Sequence, residues 1–125
     1  MKSLDCVLVA LGSGAGGLAR YVLGGMIATR WPAALPMGTL IINVTGCFVL
    51  GVLGAALALR ADAWSGWRPL IGVGLCGGYT TFSTLMYDSY KLKPGLGSLN
   101  IVLSLLLGLL AVWLGTRLGG YLGAR

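Results

Sequence analysis

The sequence predicts a single-domain, all-α membrane protein with four transmembrane helices. Hydrophobic residues make up 57% of the chain and charged residues only 10%, whereas a soluble domain carries about 25% charged residues. The mean hydropathy is +0.89. Four apolar segments reach the ~20 residues that a helix needs to cross a bilayer. These segments cover residues 4–29, 37–59, 68–90 and 98–118.

Short connections separate these spans. They cover residues 30–36, 60–67 and 91–97 and contain the Pro, Trp and basic residues that are typical of membrane interfaces. The first span is long and rich in glycine and lacks a clear small-residue cleavage site, so it does not resemble a cleaved signal peptide. We therefore expect a multi-pass protein that keeps all four spans.

The charge pattern predicts contact with lipid headgroups and leaves the orientation open. The net charge is +6, but the basic residues are scattered among the loops and form no cluster for nucleic acid. With four spans, both termini share one side of the membrane. That side carries Lys2, Arg60, Arg68, Arg117 and Arg125; the other carries Arg30, Lys91 and Lys93, with Arg20 on or near it. This weak bias fits one orientation or both, and both would permit an antiparallel dimer.

The chain lacks the residues that most enzymes and metal sites require. It has no histidine and no glutamate, which removes most routes to acid–base catalysis and zinc binding. Its three cysteines, Cys6, Cys47 and Cys76, sit in apolar runs at spacings that match no metal motif. We predict that the protein is not an enzyme.

The third span contains a cluster of polar groups at residues 77–84. Thr80, Thr81, Ser83 and Thr84 supply four hydroxyls around Phe82. An unsatisfied polar group in hydrocarbon costs several kcal/mol, so the cluster is expected to face protein, an ion or water. The glycines just before it predict a break in this helix, where exposed carbonyls could bind a small cation. We interpret the cluster as the wall of an ion pathway.

Polar residues in the other spans fit the same interpretation or a purely structural one. Thr39 and Asn43 share a helix face, with Gly46 close to it, and either line the path or tie helices together. Arg20 is either a membrane anchor or a positive charge at a pore mouth. Asp88 either pairs with a basic residue or lines a vestibule. In the fourth span, Asn100 and Ser104 are also four residues apart, and the sequence does not decide between these two roles.

The ion pathway is predicted to favour an anion. The polar groups within the spans are mainly neutral hydrogen-bond donors, and an aromatic ring such as that of Phe82 has a positive edge. A cation path more often shows acidic rings or carbonyl-rich filter loops.

Three motifs resemble the Fluc (CrcB) family of fluoride channels along essentially the whole chain. They are GAGGLARY at residues 14–21, GTLIINVTGCF at 38–48 and GLCGGYTTFST at 74–84. The resemblance implies a passive, selective fluoride channel in the inner (plasma) membrane. It implies an antiparallel, dual-topology homodimer with two fluoride paths, and a structural Na⁺ at its centre.

The resemblance also implies roles for individual residues. Na⁺ would be held by the backbone carbonyls of Gly77 and Thr80. The fluoride path would be lined by Asn43, Phe82, Ser83 and Thr84, with Thr39 on the face of Asn43 and with Arg20 in the vestibule.

Two positions depart from the family pattern. Leu85 stands where the family usually has a second phenylalanine, and Gly108 where members often carry a serine. These departures bear on the conduction rate and leave open a pairing with a paralogous subunit.

Two other functions fit a short four-span protein. A proton-coupled exporter of organic cations would need a carboxylate inside the membrane, and none of Asp5, Asp62 and Asp88 is predicted at mid-membrane. A non-conducting structural subunit would have no use for the hydroxyl cluster.

Overall fold

The computed structural model describes residues 3–59 and 66–124, and the described chain is built from helices. Helix α1 covers Ser3–Arg30 and α2 covers Met37–Leu59. The connection predicted at residues 60–67 lies largely outside the described residues, as do Lys2, Arg60, Asp62 and Arg125. The chain is a multi-pass membrane protein, as its composition predicts.

Three of the described helices are long and apolar enough to cross a membrane. They are α1, α2 and the last helix, α6 (Pro94–Gly123). Helix α6 extends beyond the predicted span 98–118 at both ends. It begins at Pro94, whose fixed φ and missing N–H suit the first position of a helix.

The segment predicted as the third span consists of three shorter helices. A π-helical segment, α3 (Pro69–Cys76), continues directly into α4 (Gly77–Tyr79), and α5 covers Phe82–Lys91. Between α4 and α5, Thr80 and Thr81 adopt extended conformations, with φ/ψ of −83°/159° and −154°/117°. The helical conformation is therefore interrupted for two residues.

Bare glycine surfaces allow the helices to pack closely. Helix α1 packs against α3 and α4, and α2 packs against α6. A β-carbon at Gly12 would lie 2.9 Å from Leu75 N, and one at Gly51 would lie 2.5 Å from Val112 O. Such close backbone contacts are typical of helix interfaces in membranes. By contrast, Gly54 on α2 faces open space, so it is not a packing position within this chain.

The described chain buries few large apolar side chains. Its buried hydrophobic residues are Leu40, Ile42, Cys76, Leu85 and Ala111, whereas most leucines and aromatic residues are exposed. An outward-facing apolar surface fits contact with lipid or with a second subunit. At the ends of the helices, Lys91 lies over the ring of Tyr87, 4.0 Å from its centroid, and Arg117 lies near Trp113.

Candidate functional site

Asn43 on α2 holds the interruption between α4 and α5. Its Nδ2 donates to the carbonyl of Thr81 at 3.0 Å, and its Oδ1 accepts from the Thr81 N–H at 2.7 Å. Thr81 is only 9% exposed, and a buried backbone group outside a helix needs a hydrogen-bond partner from elsewhere in the protein. Asn43 Oδ1 therefore replaces the helical acceptor that the Thr81 N–H lacks, and Asn43 Nδ2 adds a bond to the Thr81 carbonyl.

This arrangement redirects two N–H groups away from the carbonyls that they would reach in a continuous helix. In an α-helix the N–H of residue i bonds to the carbonyl of residue i−4, so Thr81 would bond to Gly77 and Thr84 to Thr80. Instead the Thr81 N–H donates to Asn43, and the Thr84 N–H donates to Thr81 Oγ at 3.2 Å. The carbonyls of Gly77 and Thr80 thus lose their usual helical donors.

The hydroxyl groups around α5 form a connected cluster. Thr81 Oγ lies 3.1 Å from Thr84 Oγ, to which it donates, and 3.3 Å from Ser83 Oγ. The cluster forms because Thr81 is the N-cap of α5, which turns its side chain back over the first turn of that helix. Hydroxyls can both donate and accept, so the cluster can reorient towards a passing ion or water.

A groove of about 450 Å³ runs along one side of this cluster. Arg20, Thr39, Thr81, Thr84 and Asp88 are among its lining residues. Thr39 Oγ donates to the Asp88 carboxylate at 2.7 Å, across the groove wall from α2 to α5. The groove therefore contains one cationic side chain, one carboxylate with a neutral donor, and hydroxyls.

A second cavity of about 240 Å³ lies beyond the cluster. Asn43, Thr81, Phe82 and Ser104 line it, and so does Leu85. Thr81 lines both this cavity and the groove. The Phe82 ring is 71% exposed on the surface of the single chain. The sequence-predicted residues Arg20, Thr39, Asn43, Phe82 and Thr84 are thus distributed along two spaces that meet at Thr81, and Ser83 joins them through the hydroxyl cluster.

Asn100 and Ser104 separate in their roles. Asn100 is completely buried and donates to Ser89 Oγ at 2.8 Å, and Ser89 in turn donates to the carbonyl of Leu85. Asn100 therefore ties α6 to α5. Ser104 lies one turn further along α6 and lines the second cavity.

Two positions contribute more to the site than the sequence pattern indicates. In the sequence Thr81 is one hydroxyl among four, but in the structure it is the residue that Asn43 binds, and it lines both cavities. Asp88 has Thr39, rather than a Lys or Arg, as its hydrogen-bond donor. The sequence gives little indication of the pairs Asn43–Thr81 and Thr39–Asp88, because the two residues of each pair lie in different helical segments and not at a helical spacing within one.

Comparison with known proteins identifies the family. The model of the family described as CrcB-like protein, Camphor Resistance (CrcB), matches residues 7–116. The chain belongs to the CrcB family. The resemblance predicted from the three motifs is confirmed.

Relatives in the CrcB family match along most of this chain. A protein of Solibacter usitatus named fluoride-specific ion channel FluC is 42% identical over 116 residues, which are 90% of this chain and 95% of that protein. A protein of the same name from Acidobacterium capsulatum is 44% identical over 115 residues, which are 89% of this chain and 92% of that protein. Fluoride-specific ion channel FluC 2 of Brucella abortus is 39% identical over 124 residues, which are 94% of this chain and 96% of that protein.

Leu85 and Gly108, the two positions predicted to depart from the family pattern, lie at the second cavity and next to Cys47, which also lines this cavity. Leu85 is buried and lines the second cavity beside Phe82. Gly108 is buried on α6, and a β-carbon placed there would lie 3.5 Å from Cys47 Sγ. That separation is an ordinary van der Waals contact, so this CrcB chain has space for a small side chain at residue 108.

Proposed function

We propose that this protein is a passive fluoride channel that lowers cytoplasmic fluoride. The observation that carries the proposal is membership of the CrcB family, whose relatives above are named fluoride-specific ion channels. The groove and the second cavity supply donors of the kind that a small, hard anion needs in place of its hydration shell. Arg20 would raise the local anion concentration at the groove.

The direction of transport follows from acid–base chemistry and membrane potential. Fluoride enters cells as neutral HF and is trapped inside as the ion. A negative interior potential then drives F⁻ outward through an open path, and no coupling to another ion is required.

We propose that two copies of the chain form an antiparallel dimer and that its interface completes the path. Phe82 and Ser83 are exposed on the isolated chain. Ser83 Oγ has Thr81 Oγ as a partner, but in lipid its remaining hydrogen-bonding capacity would stay unsatisfied. A second copy would cover these groups and enclose an anion between them. A paralogous subunit in the second position is the alternative assembly. In either assembly, the interruption between α4 and α5 would lie within the third membrane span.

We propose that the carbonyls of Gly77 and Thr80 hold a structural Na⁺ at the dimer centre. Both carbonyls lose their usual helical donors, as described above, and Gly77 is exposed towards open space. Carbonyl oxygens are suitable ligands for a hard monovalent cation. When bound, Na⁺ would supply a fixed positive charge that stabilises both the dimer and the interrupted helix.

The test is fluoride efflux from liposomes that contain the purified protein. Valinomycin with K⁺ clamps the potential, a fluoride electrode records release, and chloride release is measured in parallel. Fast fluoride release without chloride release is expected. A folded dimer that releases no fluoride, alone or with a co-expressed paralogue, would overturn the proposal.

The variant Phe82→Ala tests the path within the same assay. We expect slower fluoride release because the ring edge at the second cavity is lost. Tyr90→Ala is the matched control, since Tyr90 is 87% exposed and lines neither cavity.

A further inference from the structure

Tyr79 makes a second connection between α2 and the interrupted helix. It is the last residue of α4 and immediately precedes Thr80. Its hydroxyl lies 3.0 Å from Thr45 Oγ on α2. Its ring lies against Gly46, where a β-carbon would approach Tyr79 Cδ1 to 3.2 Å. The lack of a side chain at Gly46 therefore gives the ring space to reach Thr45.

The hydrogens of this pair can be assigned from their partners. Thr45 Oγ donates back to the carbonyl of Ile41 at 2.8 Å, with the carbonyl of Ile42 at 3.1 Å. A hydroxyl has a single hydrogen to donate, so while Thr45 donates to one of these carbonyls it accepts from Tyr79. The Tyr79 hydroxyl is then the donor that joins the end of α4 to α2.

We propose that Tyr79 and Thr45 are positioning residues for the cation site, an inference that rests on the sodium site proposed above. Asn43 holds Thr81 after the interruption, and Thr45 holds Tyr79 before it. The residue between them, Thr80, is therefore fixed from both sides by the same helix. The geometry of its carbonyl, and of the Gly77 carbonyl one turn earlier, follows from this pair of attachments.

The attachment matters because the helical conformation stops at Tyr79. Helix α4 continues from α3 and packs against α1, but the last carbonyls of a helix have no donors within that helix. Thr80 adds two bonds to the end of α4, since its N–H and its Oγ both donate to the carbonyl of Cys76 at 3.0 Å. These bonds fix Thr80 relative to its own helix, whereas only contacts with a neighbouring helix fix it relative to the rest of the protein. A cation that is bound by carbonyls gains affinity when those carbonyls are held in place before it binds.

The test measures sodium binding without relying on transport. Purified protein is heated in detergent at a series of NaCl concentrations, with choline chloride keeping the ionic strength constant, and tryptophan fluorescence reports the melting temperature. A ligand that binds only the folded state raises this temperature with concentration. The variants are Tyr79→Phe, Thr45→Val, their combination, and Thr45→Ser, which keeps the hydroxyl. Tyr87→Phe is the matched control, because Tyr87 is 59% exposed and its ring contacts Lys91.

We expect Tyr79→Phe and Thr45→Val each to raise about fivefold the sodium concentration at which the melting temperature begins to rise, the equivalent of one hydrogen bond. The double variant should match the singles, because both remove the same bond. Thr45→Ser and Tyr87→Phe should match the unmodified protein. If the melting temperatures of Tyr79→Phe and Thr45→Val begin to rise at the same sodium concentration as that of the unmodified protein, this inference is wrong and the sodium site itself is not affected. If the melting temperature of the unmodified protein does not change with sodium concentration, the sodium site and this inference are both wrong. Fluoride efflux from the same protein tests the channel function separately.

Discussion

Replacing Asn43 by alanine removes both hydrogen bonds that hold Thr81. The bonds measure 2.7 and 3.0 Å, and Thr81 is buried. The buried Thr81 N–H, left without an acceptor, would cost about 1–3 kcal/mol. The Thr81 carbonyl belongs to the N-cap of α5, and an N-cap carbonyl accepts the first bond of its helix, so losing its bond from Nδ2 would cost about 0.5–1.5 kcal/mol more. Since proteins are stable by only about 5–15 kcal/mol, Asn43→Ala should remove a large part of the folding free energy.

The assay is equilibrium unfolding of the purified protein in mixed micelles, with an increasing fraction of sodium dodecyl sulfate and tryptophan fluorescence as the signal. Asn43→Asp provides a sharper second variant. One carboxylate oxygen can still accept from the Thr81 N–H, but the other replaces the Nδ2 donor and faces the Thr81 carbonyl. We therefore expect Asn43→Asp to restore little of the stability that Asn43→Ala loses, and its negative charge to slow fluoride efflux as well.

Thr116→Val is the matched control for both variants. Thr116 donates only within its own helix, to the carbonyl of Trp113, and it is exposed. We expect its stability within about 0.5 kcal/mol of the unmodified protein, as for most surface changes. If Asn43→Ala unfolds at the same detergent fraction as Thr116→Val, the Asn43 amide does not hold Thr81, and the Thr81 N–H does not depend on Asn43 for its acceptor.

Two further variants test the packing and the groove. Gly46→Ala would place a methyl group against Thr80 Cγ2 and should cost about 1–3 kcal/mol of unfolding free energy, whereas Gly54→Ala, which faces open space, should be neutral in the same unfolding assay. Thr39→Val leaves the Asp88 carboxylate without its 2.7 Å donor and should cost about 1.5 kcal/mol, the low end of the range for a charged acceptor, because Asp88 is only half-buried. Thr39→Ser should retain the stability of the unmodified protein, and equal losses in both variants would contradict this role.

The features of this fold that depend on a local sequence pattern can be predicted from the sequence. Apolar length predicts α1, α2 and α6, because a hydrophobic stretch of ~20 residues is informative without knowledge of its neighbours. The hydroxyl-rich run 77–84 and the shared face of Thr39 and Asn43 are also local patterns. The structure places these residues around one groove and one cavity.

The partners of these side chains could not be predicted in the same way. Asn43 binds a backbone 38 positions away, and Thr39 binds a carboxylate 49 positions away. Helical spacing predicts which residues share a face, but it does not predict which neighbouring helix that face meets. Leu85 shows the same limit, since its place in the second cavity follows from how α5 lies against α6.

The location of the interruption depends on where the backbone can find new partners. The glycines just before the hydroxyl cluster predict a break in the helix of the third span, because glycine disfavours a helix by about 1 kcal/mol in water. Yet Gly74 lies in the π-helical α3 and packs against Gly12, and the extended residues are Thr80 and Thr81. In lipid, each lost helical bond must be replaced within the protein. The side chain of Asn43 and the hydroxyl of Thr81 provide those replacements at Thr81 and at the first turn of α5. The chain therefore leaves the helix at its threonines, whereas Gly74 and Gly78 allow close packing against α1.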